Sequence, residues 1–113
     1  MKLLGKAKVL RIYVDENIKS GNRLLYRAIV EKLRTIKIAG ATVFKGVEGF
    51  GSSARIHDAG LLEISENLPM VVEVVDTPAQ IAKALKTLKP ILAPHCLVTV
   101  QDVKALYYRK PSK

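Results

Sequence analysis

Residues 40–69 read GATVFKGVEGFGSSARIHDAGLLEISENLP, a glycine-rich, charged stretch between two β-like runs. Ala41 to Val47 is a β-like run, rich in β-branched and aromatic residues. A glycine-rich, charged segment without helical period follows, with a short extended piece expected at Leu61 to Ile64. Beyond it Met70 to Val75 is almost continuously apolar, broken only by Glu73, which marks a central strand. Pro69 falls just before that strand, where a missing amide is least disruptive. Two strands are thus joined by a long loop. Long loops in small domains are functional or disordered more often than not, and binding residues concentrate on loops.

Working outward, residues 6–14 alternate, with Lys8, Leu10, Ile12 and Val14 on one parity and Val9, Arg11 and Tyr13 on the other. That predicts a strand with one well-buried face. Asp15, Glu16 and Asn17 break it. Ser20 suits the N-cap of a helix to about Lys37, with Leu25, Ile29, Leu33 and Ile36 at helical spacing and Gly40 at the exit. Downstream, Thr77-Pro78-Ala79-Gln80 predicts a helix start, with Thr77 as cap and Gln80 closing a capping box. Ile81, Leu85 and Leu88 mark its buried face, Pro90 its stop, and Cys96 to Val100 the fourth strand. The order β-α-β-β-α-β predicts an α+β, ferredoxin-like fold: a four-stranded antiparallel sheet with both helices on one face. The other face is left bare and apolar, which points to oligomerisation.

At 113 residues with 49% apolar content the chain is one globular domain, 1–113. A single cysteine, Cys96, excludes an internal disulfide and suits a reducing compartment. Lysines interrupt the first eight residues before a signal-type core forms, and no apolar run reaches membrane-spanning length. The expected location is therefore cytoplasmic, without membrane insertion. The net charge of +9 is uneven: +7 over residues 1–40, −4 over 41–76 and +6 over 77–113. Basic flanks attract anions; most of these lysines also suit a solvated helix face.

Gly40-Ala-Thr-Val-Phe-Lys-Gly46, Gly49-Phe-Gly51, Ile56-His57 and Leu68-Pro69 before a Val-rich strand resemble the DUF190 family, an uncharacterised group of PII-like proteins. The resemblance runs from Ala7 to about Val103. It implies a homotrimer with sheets facing inward and helices outside. It further implies small effectors, typically adenine nucleotides, in clefts between subunits, and a T-loop-like segment at about 46–60 that contacts a target protein. One departure stands out. PII proteins hold phosphates on a Gly-Lys-rich turn before the last strand, and here residues 88–94 read LKPILAP, with one lysine and no glycine. This speaks against ATP held in the PII manner and leaves a smaller nucleotide, another anion or no nucleotide at all open. Residues 46–60 contain no tyrosine, so a tyrosine-modification switch has no acceptor there.

The candidate ligand-binding residues are Lys45, Gly46, Gly49, Phe50, Gly51, Arg55, His57, Lys89, Tyr107 and Arg109. Gly46, Gly49 and Gly51 suit either an amide nest for an anion or a hinge needing positive φ. Phe50 suits a stacking or docking anchor, or packing back on the domain. Arg55 and His57 suit phosphate contact or a charge switch, or plain solvation; Lys45 at the loop entrance has the same two readings. Lys89, Tyr107 and Arg109 suit an intersubunit cleft, or a solvated tail. His57, Asp58, His95 and Cys96 lack metal-ligand spacing, so no metal is expected. Ser52 or Ser53 with His57 and Asp58 forms no triad by sequence proximity alone, so no catalytic residue is assigned. Strands one and four lack the aromatic pair of RNA-reading sheets, which speaks against sequence-specific nucleic acid binding. The reading favoured is a PII-like regulatory protein binding a small anionic effector; the alternatives are a small enzyme acting on an anion and a basic polyanion binder.

Overall fold

The computed structural model describes residues 5–49 and 68–106. The elements are β1 (Gly5–Asp15), β2 (Lys19–Ser20), β3 (Arg23–Leu24), α1 (Leu25–Thr35), β4 (Ala41–Lys45), β5 (Pro69–Asp76), α2 (Pro78–Leu92) and β6 (Leu97–Ala105). The main sheet runs β4-β5-β1-β6, antiparallel throughout. This is the ferredoxin-like α+β arrangement that the strand and helix order predicts. The expected piece at Leu61 to Ile64 lies outside the described residues.

The core lies between the sheet and the two helices. Leu10, Ile12 and Val14 of β1 and Met70, Val72 and Val74 of β5 meet Leu25, Ile29 and Leu33 of α1 and Ile81, Ala84, Leu88 and Leu92 of α2. The period-2 and period-3.6 patterns therefore converge on one layer. Leu85, expected inside, is only partly buried; Ala84 and Leu92 take the facing positions.

Local punctuation differs from the sequence-based expectation in four places. Ser20 does not cap α1. Gly21 has φ +64 and Asn22 stays out of the left-handed region, so Gly-Asn closes a two-residue hairpin in which Ser20 pairs with Arg23. The hairpin brings the Ile18 carbonyl to accept the Leu25 N–H at 2.8 Å, a backbone cap in place of a side-chain one. The exit of α1 is set by Lys37, not Gly40. Lys37 has φ 61, its N–H donates to Arg34 O at 3.1 Å, and the Ile38 N–H donates to Leu33 O at 3.3 Å, the two bonds of a Schellman motif. Thr77 Oγ1 does accept the Gln80 N–H (3.2 Å), but the Gln80 side chain reaches Lys37 O at 3.4 Å instead of closing a box. The Thr77 N–H is taken by Asp76 Oδ1 at 2.7 Å. Finally, Pro90 does not end α2, which continues to Leu92. Burial of Leu92 favours two further residues, and the exposed Pro90 sits where the carbonyl it leaves unpaired can meet water.

The register shows what the uncovered face carries. Phe44, Val71, Tyr13 and Leu97 form one row across all four strands, with Phe44 51% and Leu97 62% exposed. The next row is polar: Thr42, Glu73, Arg11 and Thr99. Arg11 Nε donates to Glu73 Oε2 at 2.9 Å and Arg11 Nη1 to Gln101 Oε1 at 2.8 Å, tying three strands together. The face is thus crossed by a charged pair, with Val75 and Val9 in the row beyond it, and is less uniformly apolar than expected.

Candidate functional site

Three strand ends meet where β4 stops and β5 begins. In the register Lys45 lies beside Met70 and Asp15 beside Pro69, so the end of β1, the exit of β4 and the entry of β5 share one end of the sheet. The Gly46 N–H donates to Pro69 O at 2.7 Å, and the Glu16 N–H to Leu68 O at 2.9 Å. A Cβ on Gly46 would lie 2.7 Å from Pro69 Cγ and 3.1 Å from its carbonyl oxygen; one on Gly49 would lie 3.1 Å from the same Cγ. Neither glycine has positive φ. Their requirement is close approach to Pro69, not a left-handed backbone. The Gly46 amide is occupied by Pro69.

Lys45 points its ammonium at Glu16, with Nζ 3.2 Å from Oε2. The other oxygen, Glu16 Oε1, is buried without a hydrogen-bond partner among the described residues. In the sequence Glu16 stands out only as part of the break after β1. Nothing local marks it, because its role depends on β1 and β4 ending side by side.

Lys89 stands elsewhere. It borders a groove of about 460 Å³ between the C-terminal half of α2 and β6, lined by Leu85, Lys86, Lys89, Leu92, Ala93 and Val98. The helices pack chiefly on the central strands β1 and β5, which leaves Val98 of β6 only partly covered. The groove has an apolar floor with two ammonium groups at its rim, suited to an anion attached to an apolar body. Cys96 beside it is a half-buried free thiol, its pKa pushed up to about 11 by burial, so it stays protonated and behaves as a small hydrophobe.

Lys45 and Lys89 border opposite edges of the sheet, β4 and β6, with β5 and β1 between them. Three strand spacings separate these edges by about 14 Å. The structure brings Lys45, Gly46 and Gly49 together and sets Lys89 apart. Phe50, Gly51, Arg55, His57, Tyr107 and Arg109 lie outside the described residues. Among the described residues, no helix is long and apolar enough to cross a membrane.

Comparison with known proteins matches residues 7–105 to the profile of DUF190, described as an uncharacterized ACR. A UPF0166 protein from Methanocaldococcus jannaschii is 34% identical over 97 residues, 86% of this chain and 89% of that protein. Another from Aquifex aeolicus is 30% identical over 102 residues, 90% and 95% of the two chains. Among solved structures, CPII from Thiomonas intermedia K12, bound to ADP and bicarbonate, superposes with a TM-score of 0.64 at 18% identity, covering 88% of each chain.

Proposed function

The chain belongs to the DUF190 family and has the PII-like fold, and from that premise we propose that it is a regulatory subunit that binds a small anionic effector between copies of itself. The observation that carries the reading is the split placement of its cationic residues. Lys45 at the β4 edge and Lys86 and Lys89 at the β6 edge cannot close on one small anion within a single chain. In a head-to-tail ring the β4 edge of one copy meets the β6 edge of the next, and both sets face one cleft. The uncovered row of Phe44, Val71, Tyr13 and Leu97 supports such a ring, a trimer with sheets inward. The whole chain, 1–113, then acts as one domain in the cytoplasm, and residues 46–60 contact a target protein.

The effector class is an anion carried on an apolar or aromatic body, an adenine nucleotide foremost. CPII was crystallised with ADP and bicarbonate, which supports trying both. Residues 88–94 lack the glycines of a phosphate-cradling turn, so ADP or AMP is favoured over ATP. Calorimetric titration of the purified oligomer with ATP, ADP, AMP, cyclic AMP and bicarbonate tests this. Saturable binding of at least one, lost in both Lys45→Ala and Lys89→Ala, is the expected result. Absence of binding by all five would remove the effector reading.

A further inference from the structure

Glu16 touches both feet of the segment that joins β4 to β5. Its N–H holds Leu68 O at 2.9 Å on the β5 side, and its carboxylate holds Lys45 on the β4 side at 3.2 Å. The Glu16 side chain is only 20% exposed, while Lys45 is 45% exposed. Of the two partners, the lysine is the one free to turn outward. If it does, the carboxylate loses its one charged partner among the described residues, where Oε1 already lacks a donor. Stranding a covered carboxylate is unfavourable, more so than breaking an exposed pair.

We infer that the Glu16–Lys45 pair is a latch, in which Glu16 is a built-in competitor that an anionic effector must displace from Lys45. The inference rests on reading Lys45 as an effector-binding residue. Two consequences follow from Coulomb's law. The latch lowers anion affinity, because binding must first break the pair. It also discriminates by charge, because Glu16 stays in place and repels the incoming anion more strongly the more charge that anion carries. The site thereby favours anions of lower charge, ADP or AMP over ATP.

Two measurements on the full-length oligomer test the latch. The first needs no ligand: urea unfolding of Glu16→Gln, Lys45→Met and the double variant. A latch gives single losses that do not add in the double variant; additive losses overturn it. The second is titration of ADP and bicarbonate into wild type, Glu16→Gln and a control, Glu31→Gln, which makes the same charge change on α1, at an exposed pair with Arg23 of β3. The expected result is ADP binding tightened about three- to tenfold by Glu16→Gln, a smaller gain for bicarbonate, and no gain in the control. Wild-type binding without tightening in Glu16→Gln, or equal tightening in the control, overturns the latch and leaves the effector reading standing. Absence of binding in both wild type and Glu16→Gln overturns both.

Discussion

At the β4 edge Gly46 lies so close to Pro69 that no Cβ fits between them, whereas at the β6 edge a groove of about 460 Å³ stands open between α2 and the sheet. The cation at the first edge is already engaged by Glu16. The two lysines at the second border an apolar hollow and have no ion pair among the described residues. One edge is shaped to be held, the other to receive. The contrast shows two half-sites, each incomplete within one chain, which the proposed ring would bring together from two copies.

The largest expected effect strikes the platform shared by both edges. Asp76 is 1% exposed, and its Oδ1 and Oδ2 accept the N–H groups of Thr77 (2.7 Å) and Ala39 (2.9 Å), joining the start of α2 to the approach to β4. Asp76→Ala leaves two N–H groups short of acceptors and should destabilise by about 2–4 kcal/mol in urea unfolding. A change below 1 kcal/mol would show that the two edges are not held on a common frame.

Next comes Cys96, beside the open edge. With its pKa raised from 9.0 to about 11, the folded thiol at pH 8 should alkylate about a hundredfold more slowly than in the urea-unfolded chain. The sign for stability follows: burial favours the protonated form, so the contribution is complete below pH 9 and is lost as pH rises toward 11. Equal alkylation rates in folded and unfolded protein would mean that this edge is far more open than described.

A smaller effect sharpens the tight edge itself. Gly46→Ala should cost about 1–3 kcal/mol, because the Pro69 ring and carbonyl must both move. Gly49→Ala meets only the ring, at 3.1 Å, and should stay within about 1 kcal/mol of wild type. Equal losses at the two positions would contradict the close-approach explanation. The smallest change is at Lys37, outside both edges. Lys37→Gly relieves a left-handed residue at the end of α1 and should stabilise by about 0.5–1 kcal/mol, leaving anion binding unchanged.

The scaffold was readable because its signals are local. Alternation in β1, the apolar run of β5 and the Thr77-Pro78 start each determine structure within a few residues. The misreadings are places where tertiary packing outweighs a local signal, as when burial of Leu92 carries α2 through Pro90. The Gly21-Asn22 turn was legible as a hairpin dipeptide but was masked by Ser20, an equally good cap. The site was less readable for a topological reason. Glu16 and Lys45 are 29 positions apart and meet only because β1 and β4 flank β5. Lys45 and Lys89 look like parts of one site in a linear reading, yet the strand order sends them to opposite edges.

The shared cleft is tested most directly by mixing subunits. Lys45→Ala and Lys89→Ala proteins, each purified as an oligomer without ADP binding, are unfolded together, refolded at equal ratio and titrated with ADP. In a head-to-tail ring about a quarter of the interfaces then pair an intact β4 edge with an intact β6 edge, and a matching fraction of wild-type sites should reappear at wild-type affinity. If the mixture binds no more ADP than either variant alone, the two edges do not form one site and the composite cleft is wrong.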